Sequence, residues 1–259
     1  AAPKQHPSFS LSERSELFMG QDTVLKMNGI VKRYPGVIAL NNINVEFKRG
    51  EVHALLGENG AGKSTLIKLL SGAIENDEGT IEIDGEQYEK MTPLISRTHG
   101  IEVIYQEYNL VPGLTVAENI CLGKQMHGLV NKKDMVNFTE ELFRKNHIDI
   151  NPRKYVKELS TAQQQLVEIS KAISKDAKII VMDEPTAQLS MSEVETLYTI
   201  IQDLKKKGTT VIYISHRLEE LFAVTDRITI LRDGEYIDTV NTKETTRDQL
   251  ITLMVGREL

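Results

Sequence analysis

The chain has 259 residues, 40% of them hydrophobic and 26% charged, with a formal net charge of -6. That length suits one large or two small globular domains with a substantial core, and the mildly acidic balance argues against nucleic acid as a main partner. A single cysteine, Cys121, excludes an internal disulfide and a Cys-rich zinc site and suits a reducing cytosol, and no run approaches the roughly 20 apolar residues of a bilayer span.

Residues 1–21, which open AAPKQHPSFS, lack the compact apolar core of a secretory signal. They are expected to be a flexible leader or an appended extension, with residues 22–259 as the folded domain. β-prone segments at 24–27 and 43–47, punctuated by Pro35-Gly36 and Arg49-Gly50, predict an antiparallel, hairpin-like sheet. Short runs rich in Val, Ile and Leu then recur at 51–56, 102–105, 179–182, 210–214 and 228–231, separated by helical stretches. Such runs suit strands buried on both faces of a parallel sheet. Residues 92–177 are mostly helical in pattern and predict an inserted helical subdomain. Within it, Met135, Phe138, Leu142 and Phe143 share one face of a helix over 133–146. Lys205-Lys206-Lys207-Gly208 reads as a helix's last turn followed by a terminating glycine, not as a basic patch. Asp233-Gly234-Glu235 reads as a hairpin turn and 246–255 as a short final helix.

Between the strand predicted over 51–56 and an apolar helical run from Leu66 lies GENGAGKST, residues 57–65. Gly57, Gly62, Lys63 and Ser64 satisfy G-x-x-x-x-G-K-[ST] in the strand–loop–helix setting that motif requires. The backbone of Gly57, Glu58, Asn59, Gly60, Ala61, Gly62, Lys63, Ser64 and Thr65 can curl around phosphate oxygens, with the positive end of the following helix adding its dipole. Lys63 would then reach β- and γ-phosphate oxygens, and the Ser64 hydroxyl one Mg²⁺ position. IIVMDEPT, residues 179–186, is an apolar strand that ends in two acids. Asp183 is placed to bind the metal's water shell, and Glu184 to polarise an attacking water as general base. A glycine turn capping a helix would explain the first motif, and acids at a strand end the second, but neither explains both.

With these residues the chain resembles the ATP-binding cassette (ABC) ATPases, over residues 23–259. Four further stations fall in that family's order: Tyr34 in KRYPG, Gln106 in VIYQEYNL, LSTAQ at 159–163 and His216 in VIYISHRLEE. The resemblance implies an α/β P-loop NTPase fold, with a RecA-like parallel core sheet, an antiparallel β subdomain and an inserted α-helical subdomain at about 92–177. It implies ATP and Mg²⁺ as ligands. Tyr34 would stack on adenine, Ser64, Gln106 and Asp183 would surround the metal, and Lys63, Gln106, Glu184 and His216 would be catalytic, His216 by contacting the γ-phosphate. Leu159, Ser160, Thr161, Ala162 and Gln163 would meet the ATP of a second cassette, so a fused or dimeric partner cassette is implied.

Two stretches depart from the family's common form. Thr161 and Ala162 stand where most members have glycines, and Ser190 in TAQLS stands where most carry Asp. Together with QEYNLVPGLTVAENICLG and the ending MVGREL, these departures resemble the first of two fused cassettes in bacterial monosaccharide importers of the ribose and galactose type. The implied protein is an ATPase that powers sugar import from the cytoplasmic face of the bacterial cell membrane, and the chain would be one cassette cut from a longer polypeptide. Membrane permease subunits would be direct partners and a periplasmic or extracellular sugar-binding protein an indirect one, with no nucleic acid. The permease contact is expected around residues 106–121, with Tyr108 and Leu110 at the surface. Two other functions remain open to the sequence. One is an ATP-binding regulatory cassette with little hydrolysis of its own, motivated by Thr161, Ala162 and Ser190; the other is a non-transport ABC ATPase. The stretch between Lys63 and Leu159 is too short for the long coiled coil of the DNA-repair type.

Overall fold

The computed structural model describes residues 23–123 and 131–256, so the leader expected over 1–21 lies outside the described residues. Among the described residues, ten strands form two sheets. The first is antiparallel, in the order β2-β1-β4-β5, from β1 (Thr23–Tyr34), β2 (Val37–Lys48), β4 (Glu78–Ile83) and β5 (Glu86–Tyr88). The second runs β10-β9-β3-β8-β7-β6, from β3 (Val52–Leu56), β6 (Ile101–Ile104), β7 (Ile179–Asp183), β8 (Thr210–Ile214), β9 (Arg227–Arg232) and β10 (Glu235–Asn241). Its five strands from β9 to β6 are all parallel, and β10 closes one edge antiparallel to β9.

The five apolar runs read from the sequence are these five parallel strands. Their lack of alternation follows from burial on both faces. Along β3, Val52, Ala54 and Leu56 enter one core and Leu55 the other; along β7, Ile180 and Met182 enter the first while Ile179 and Val181 enter the second. The second core also holds Leu25, Met27, Ile43 and Phe47 of the antiparallel sheet, together with Leu66, Ile67, Leu69 and Leu70 of helix α1 (Lys63–Leu70). The parallel sheet is therefore the wall between two cores.

β1 and β2 each run 12 residues, far beyond the segments 24–27 and 43–47 that the sequence suggested. Register shifts between Met27 and Ile30, between Ile30 and Lys32, and between Lys32 and Arg33 break the period-two alternation, so the pattern hides a continuous strand pair. β4 and β5, which the sequence reading did not foresee, complete this sheet. Asp84, in the turn between them, accepts from Arg49 at 2.6 Å and from Lys178, just before β7, at 2.8 Å. One buried carboxylate thus ties the two sheets together.

Residues 92–177 are not wholly helical. α2 (Pro93–Thr98) leads into β6, a strand of the parallel sheet, and only the chain between β6 and β7 is helical insertion. It contains α3 (Val116–Cys121), α4 (Lys132–Lys145) and α5 (Thr161–Ile173). α4 buries Val136, Thr139 and Phe143, with Phe138 and Leu142 half-buried against the same core. α6 (Met191–Lys206) ends in basic residues, with Gly208 at φ 84 just beyond. Lys205 pairs with Asp226 at 2.6 Å and Lys206 with Asp203 at 3.0 Å, so these lysines close a helix. Asp233 and Gly234, at φ 53 and 78, make the β9–β10 hairpin turn. α7 (Leu218–Val224) follows β8, and α8 (Arg247–Val255) ends the described chain, capped by Thr246.

Candidate functional site

Parallel strands deliver their carboxyl ends to one edge of a sheet, which is where α/β folds bind ligands. Here that edge carries the loop after β3, Asp183 and Glu184 at the end of β7, His216 after β8 and Gln106 after β6. β8 lies between β3 and β7, so the strand that presents His216 is flanked by those that present the glycine loop and the acids.

Packing dictates two of the loop's glycines. A Cβ at Gly57 would collide with the Leu231 carbonyl and Ala61, and one at Gly62 would lie 2.8 Å from the Ala39 carbonyl oxygen, at a backbone φ of 101. Gly62 is the residue before α1 and offers no side-chain cap, which leaves the first-turn amides of α1 without a side-chain acceptor. Glu58, Asn59, Gly60 and Ser64 are exposed, Lys63 and Thr65 half-buried, and Ala61 buried. The Lys63 ammonium donates to the carbonyls of Gly57 at 2.7 Å and Glu58 at 2.9 Å. Burial lowers the Lys63 pKa, opposed by the charges of Asp183 and Glu184. Burial and then the Glu184 charge push the Asp183 carboxyl up, opposed by Lys63. Cation and acids are therefore close enough to feel one another.

Glu184 takes the left-handed backbone region, at φ 46, where a side-chain-bearing residue is uncommon. Its N–H donates to the Ile214 carbonyl of β8 at 2.9 Å, which fixes that turn against the neighbouring strand. His216 Nδ1 lies 3.0 Å from Glu184 Oε1. An ionised carboxylate can only accept, so this contact calls for the tautomer with its N–H on Nδ1, on a side chain that is 65% exposed. The sequence placed both residues at the site but did not foresee that they bond each other.

The remaining predicted residues divide between two places. Tyr34 ends β1, exposed, with the Lys32 ammonium 5.7 Å from its ring centre; it pairs with Val37 on β2, the strand whose Ala39 and Leu40 abut Gly62. Gln106 is exposed. Tyr108 and Leu110, expected at the surface, are only partly so: both are half-buried, and Leu110 packs on the main core, whereas Val111 beside them is exposed. Leu159 is buried, and Ser160 caps α5 by a reciprocal box in which the Ser160 hydroxyl accepts from Gln163 N–H and Gln163 Oε1 accepts from Ser160 N–H, each at 3.2 Å. Thr161 and Ala162 form the helix's first turn. Among the described residues, the hydrogen bonds of this segment run only to its chain neighbours, and none joins it to Lys63, Asp183, Glu184 or His216. Ser190 likewise starts a helix: its N–H and hydroxyl both donate to Glu193, at 2.8 and 2.6 Å, at the beginning of α6.

One residue passed over in the sequence is central here. The loops that carry Glu184 and His216 share Glu220, a buried acid in the first turn of α7, as a hydrogen-bond acceptor. Its neighbour Glu219 is exposed, and acids are ordinary in a first turn, so no spacing signal separates them.

Residues 40–187 match the ABC transporter family. A ribose import ATP-binding protein of Streptomyces avermitilis is 47% identical over 240 residues, covering 92% of this chain and 46% of that protein. An arabinose import ATP-binding protein of Mannheimia succiniciproducens is 44% identical over 238 residues, covering 91% and 47%. The chain spans about half the length of the curated relatives it matches. Among solved structures, a dimeric ATP-binding cassette in a post-hydrolysis state with ADP and Pi aligns with a TM-score of 0.76 at 26% identity, over 84% of this chain and 98% of that one. Fold, family match and relatives agree: the chain belongs to the ABC transporter family, as an ATP-binding cassette.

Proposed function

We propose that this cassette hydrolyses ATP to power import of a monosaccharide through a membrane transporter, and that it works as one of a pair of cassettes. The observation that carries the reading is the gathering of Lys63, Asp183, Glu184 and His216 at one sheet edge, with Glu184 already bonded to His216. The ribose and arabinose import ATP-binding proteins among its relatives support the transport half, and their similar identities single out neither sugar.

The site's chemistry fits the ligands. Uncapped first-turn amides beside a lysine suit phosphate oxygens, and Ser64, Asp183 and Gln106 are the oxygen donors that would hold Mg²⁺. When bound, that ion neutralises charge on the β- and γ-phosphates. Lys63 exchanges its two carbonyl partners for phosphate oxygens, Tyr34 offers its ring face to the adenine, and Glu184 takes a proton from the attacking water. His216 is the one member of the group free to aim a ring nitrogen outward, so it both orients Glu184 and contacts the γ-phosphate. Ser160 to Gln163 serve the ATP of the paired cassette, and the exposed surface around Gln106 and Val111 meets the permease. Among the described residues no helix is long and apolar enough to cross a membrane. In this reading the cassette docks on membrane-spanning subunits from the cytoplasmic face.

A second reading, ATP binding without turnover, draws on Thr161 and Ala162 in the first turn of α5, where side chains crowd a close approach to the backbone. Steady-state phosphate release across a wide range of protein concentration, with Glu184→Gln alongside, decides between them. The hydrolytic reading expects specific activity to rise with concentration and to fall about 100-fold or more in the variant. ATP binding with turnover no higher than the variant's at every concentration, with the paired full-length polypeptide as well, would overturn it in favour of the regulatory cassette.

A further inference from the structure

Glu220 is 6% exposed and sits beneath the site without facing it. Its Oε1 accepts from the Thr186 hydroxyl at 2.7 Å, and its Oε2 accepts from the Ser215 hydroxyl at 2.8 Å and the Tyr213 phenol at 2.9 Å. The Arg217 guanidinium lies 3.4 Å from Oε1. These donors come from both halves of the Glu184–His216 pair: Thr186 is two residues past Glu184, and Ser215 immediately precedes His216.

The arrangement has directional content. Hydroxyls aimed at both oxygens of a carboxylate fix the angle between two loops as well as their separation, which apolar packing does not. The anchors themselves are firm. Thr186 and Ser215 are buried at 3% and 3%, Tyr213 lies inside β8 at 0%, and Ser215 Oγ also accepts from Arg217 N–H at 3.0 Å. Burial, and next the Glu220 charge, push the Tyr213 phenol far above its usual value, so it remains a donor. Glu184, by contrast, sits in an uncommon backbone conformation that local preference does not hold, and its partner His216 is mostly exposed. A bond between a strained residue and an exposed one persists only if both loops are held from behind.

We infer that Glu220 is a positioning residue for hydrolysis: by binding Thr186 and Ser215 it locks the loop of Glu184 to the loop of His216, and so sets their hydrogen bond without touching ATP. The inference deepens the hydrolytic reading above and rests on it. The two are separated by an observable that needs no turnover, the imidazole ¹⁵N resonances of His216, assigned by their loss in His216→Gln.

Four variants of the full chain are compared with the wild type. Glu184→Ala gives the reference for an unpaired His216. Glu220→Ala should move the His216 resonances most of the way to that reference and lower kcat roughly 10- to 100-fold with KM for ATP changed less than about threefold. Glu220→Gln keeps the shape, and the hydroxyls can rotate to accept from its amide, so resonances and kcat should return close to wild type. Thr186→Val cuts one tether and leaves the acid its other donors; it should shift the resonances part-way, and it decides the matter if Glu220→Ala does not fold. Wild-type His216 resonances in Thr186→Val and in any folded Glu220→Ala would overturn the inference, as would a kcat loss in Glu220→Gln equal to that in Glu220→Ala. If wild type and Glu184→Gln release phosphate equally slowly, in the paired full-length polypeptide as well, the hydrolytic reading fails by itself, while the resonances still report whether Glu220 sets the pair.

Discussion

The sheet edge and the start of α5 both offer an anion a helix N-terminus and a hydroxyl, yet they are built in opposite ways. At the edge, Lys63, Asp183, Glu184 and His216 arrive from three strand ends; Glu184 and His216 bond across two loops, while the Lys63 ammonium is held by carbonyls of its own loop. At α5, Ser160 and Gln163 satisfy each other within a single helical turn. The first site depends on several strands of the parallel sheet for its geometry, whereas the hydrogen bonds of the second close within one helical turn. In the paired cassette proposed above, such a pre-formed turn would need little further ordering on docking.

Removing charge from the assembled site should have the largest effect. Lys63→Ala is expected to abolish measurable binding of a non-hydrolysable ATP analogue in titration calorimetry and to lower phosphate release by about 100-fold or more. Wild-type affinity in that variant would mean that the loop amides act alone, and the contrast between the two sites would lose its basis.

Ser160→Ala probes the self-contained site. It should destabilise the fold by about 1 kcal/mol through the lost cap, read as a lower Tm, and, at protein concentrations too low for cassettes to pair, leave ATP affinity at the sheet edge unchanged. If instead affinity falls alongside Tm, the two sites are coupled within one chain.

The smallest effect belongs to the scaffold beneath both. Burial opposes the Asp84 charge, but hydrogen bonds from Lys178 and Arg49 and their charges hold its carboxyl below the ordinary range. A group depressed in this way contributes stability that is present above its unfolded pKa, about 3.9, and is lost as pH falls through the folded value. Asp84→Asn should therefore lower stability by only about 0.5 kcal/mol at neutral pH, discounted because Lys178 is half exposed. The gap in Tm between variant and wild type should close below about pH 4. A gap independent of pH would assign Asp84 a role in shape and not in charge.

The sequence made the parallel sheet legible because burial on both faces leaves apolar runs with little else to explain them, and the loop at 57–65 because its glycines answer to packing as well as to phosphate. β1 and β2 were legible only in part: bulges shift the alternation, and no local signal says that a strand continues through them. β4 and β5 escaped because they are short, six and three residues, and owe their strand form to pairing, β4 with β1 and β5 with β4. At the site, Lys63, Asp183, Glu184 and His216 could be named from motifs, since chemistry restricts residue type. Their mutual bonds could not, because the Glu184–His216 contact joins residues 32 apart in sequence. Glu220 was invisible for the same reason. Only tertiary packing decides which of two adjacent glutamates in a first turn is buried.

The left-handed backbone at Glu184 has one further consequence. Glycine or asparagine would occupy that conformation more comfortably, and neither could serve as a base. Under the hydrolytic reading, position 184 is thus a place where folding preference and catalysis favour different amino acids. Substitutions there that raise the melting temperature while silencing turnover would be the ordinary outcome of that conflict, and stabilising changes elsewhere are what allow the chain to carry it.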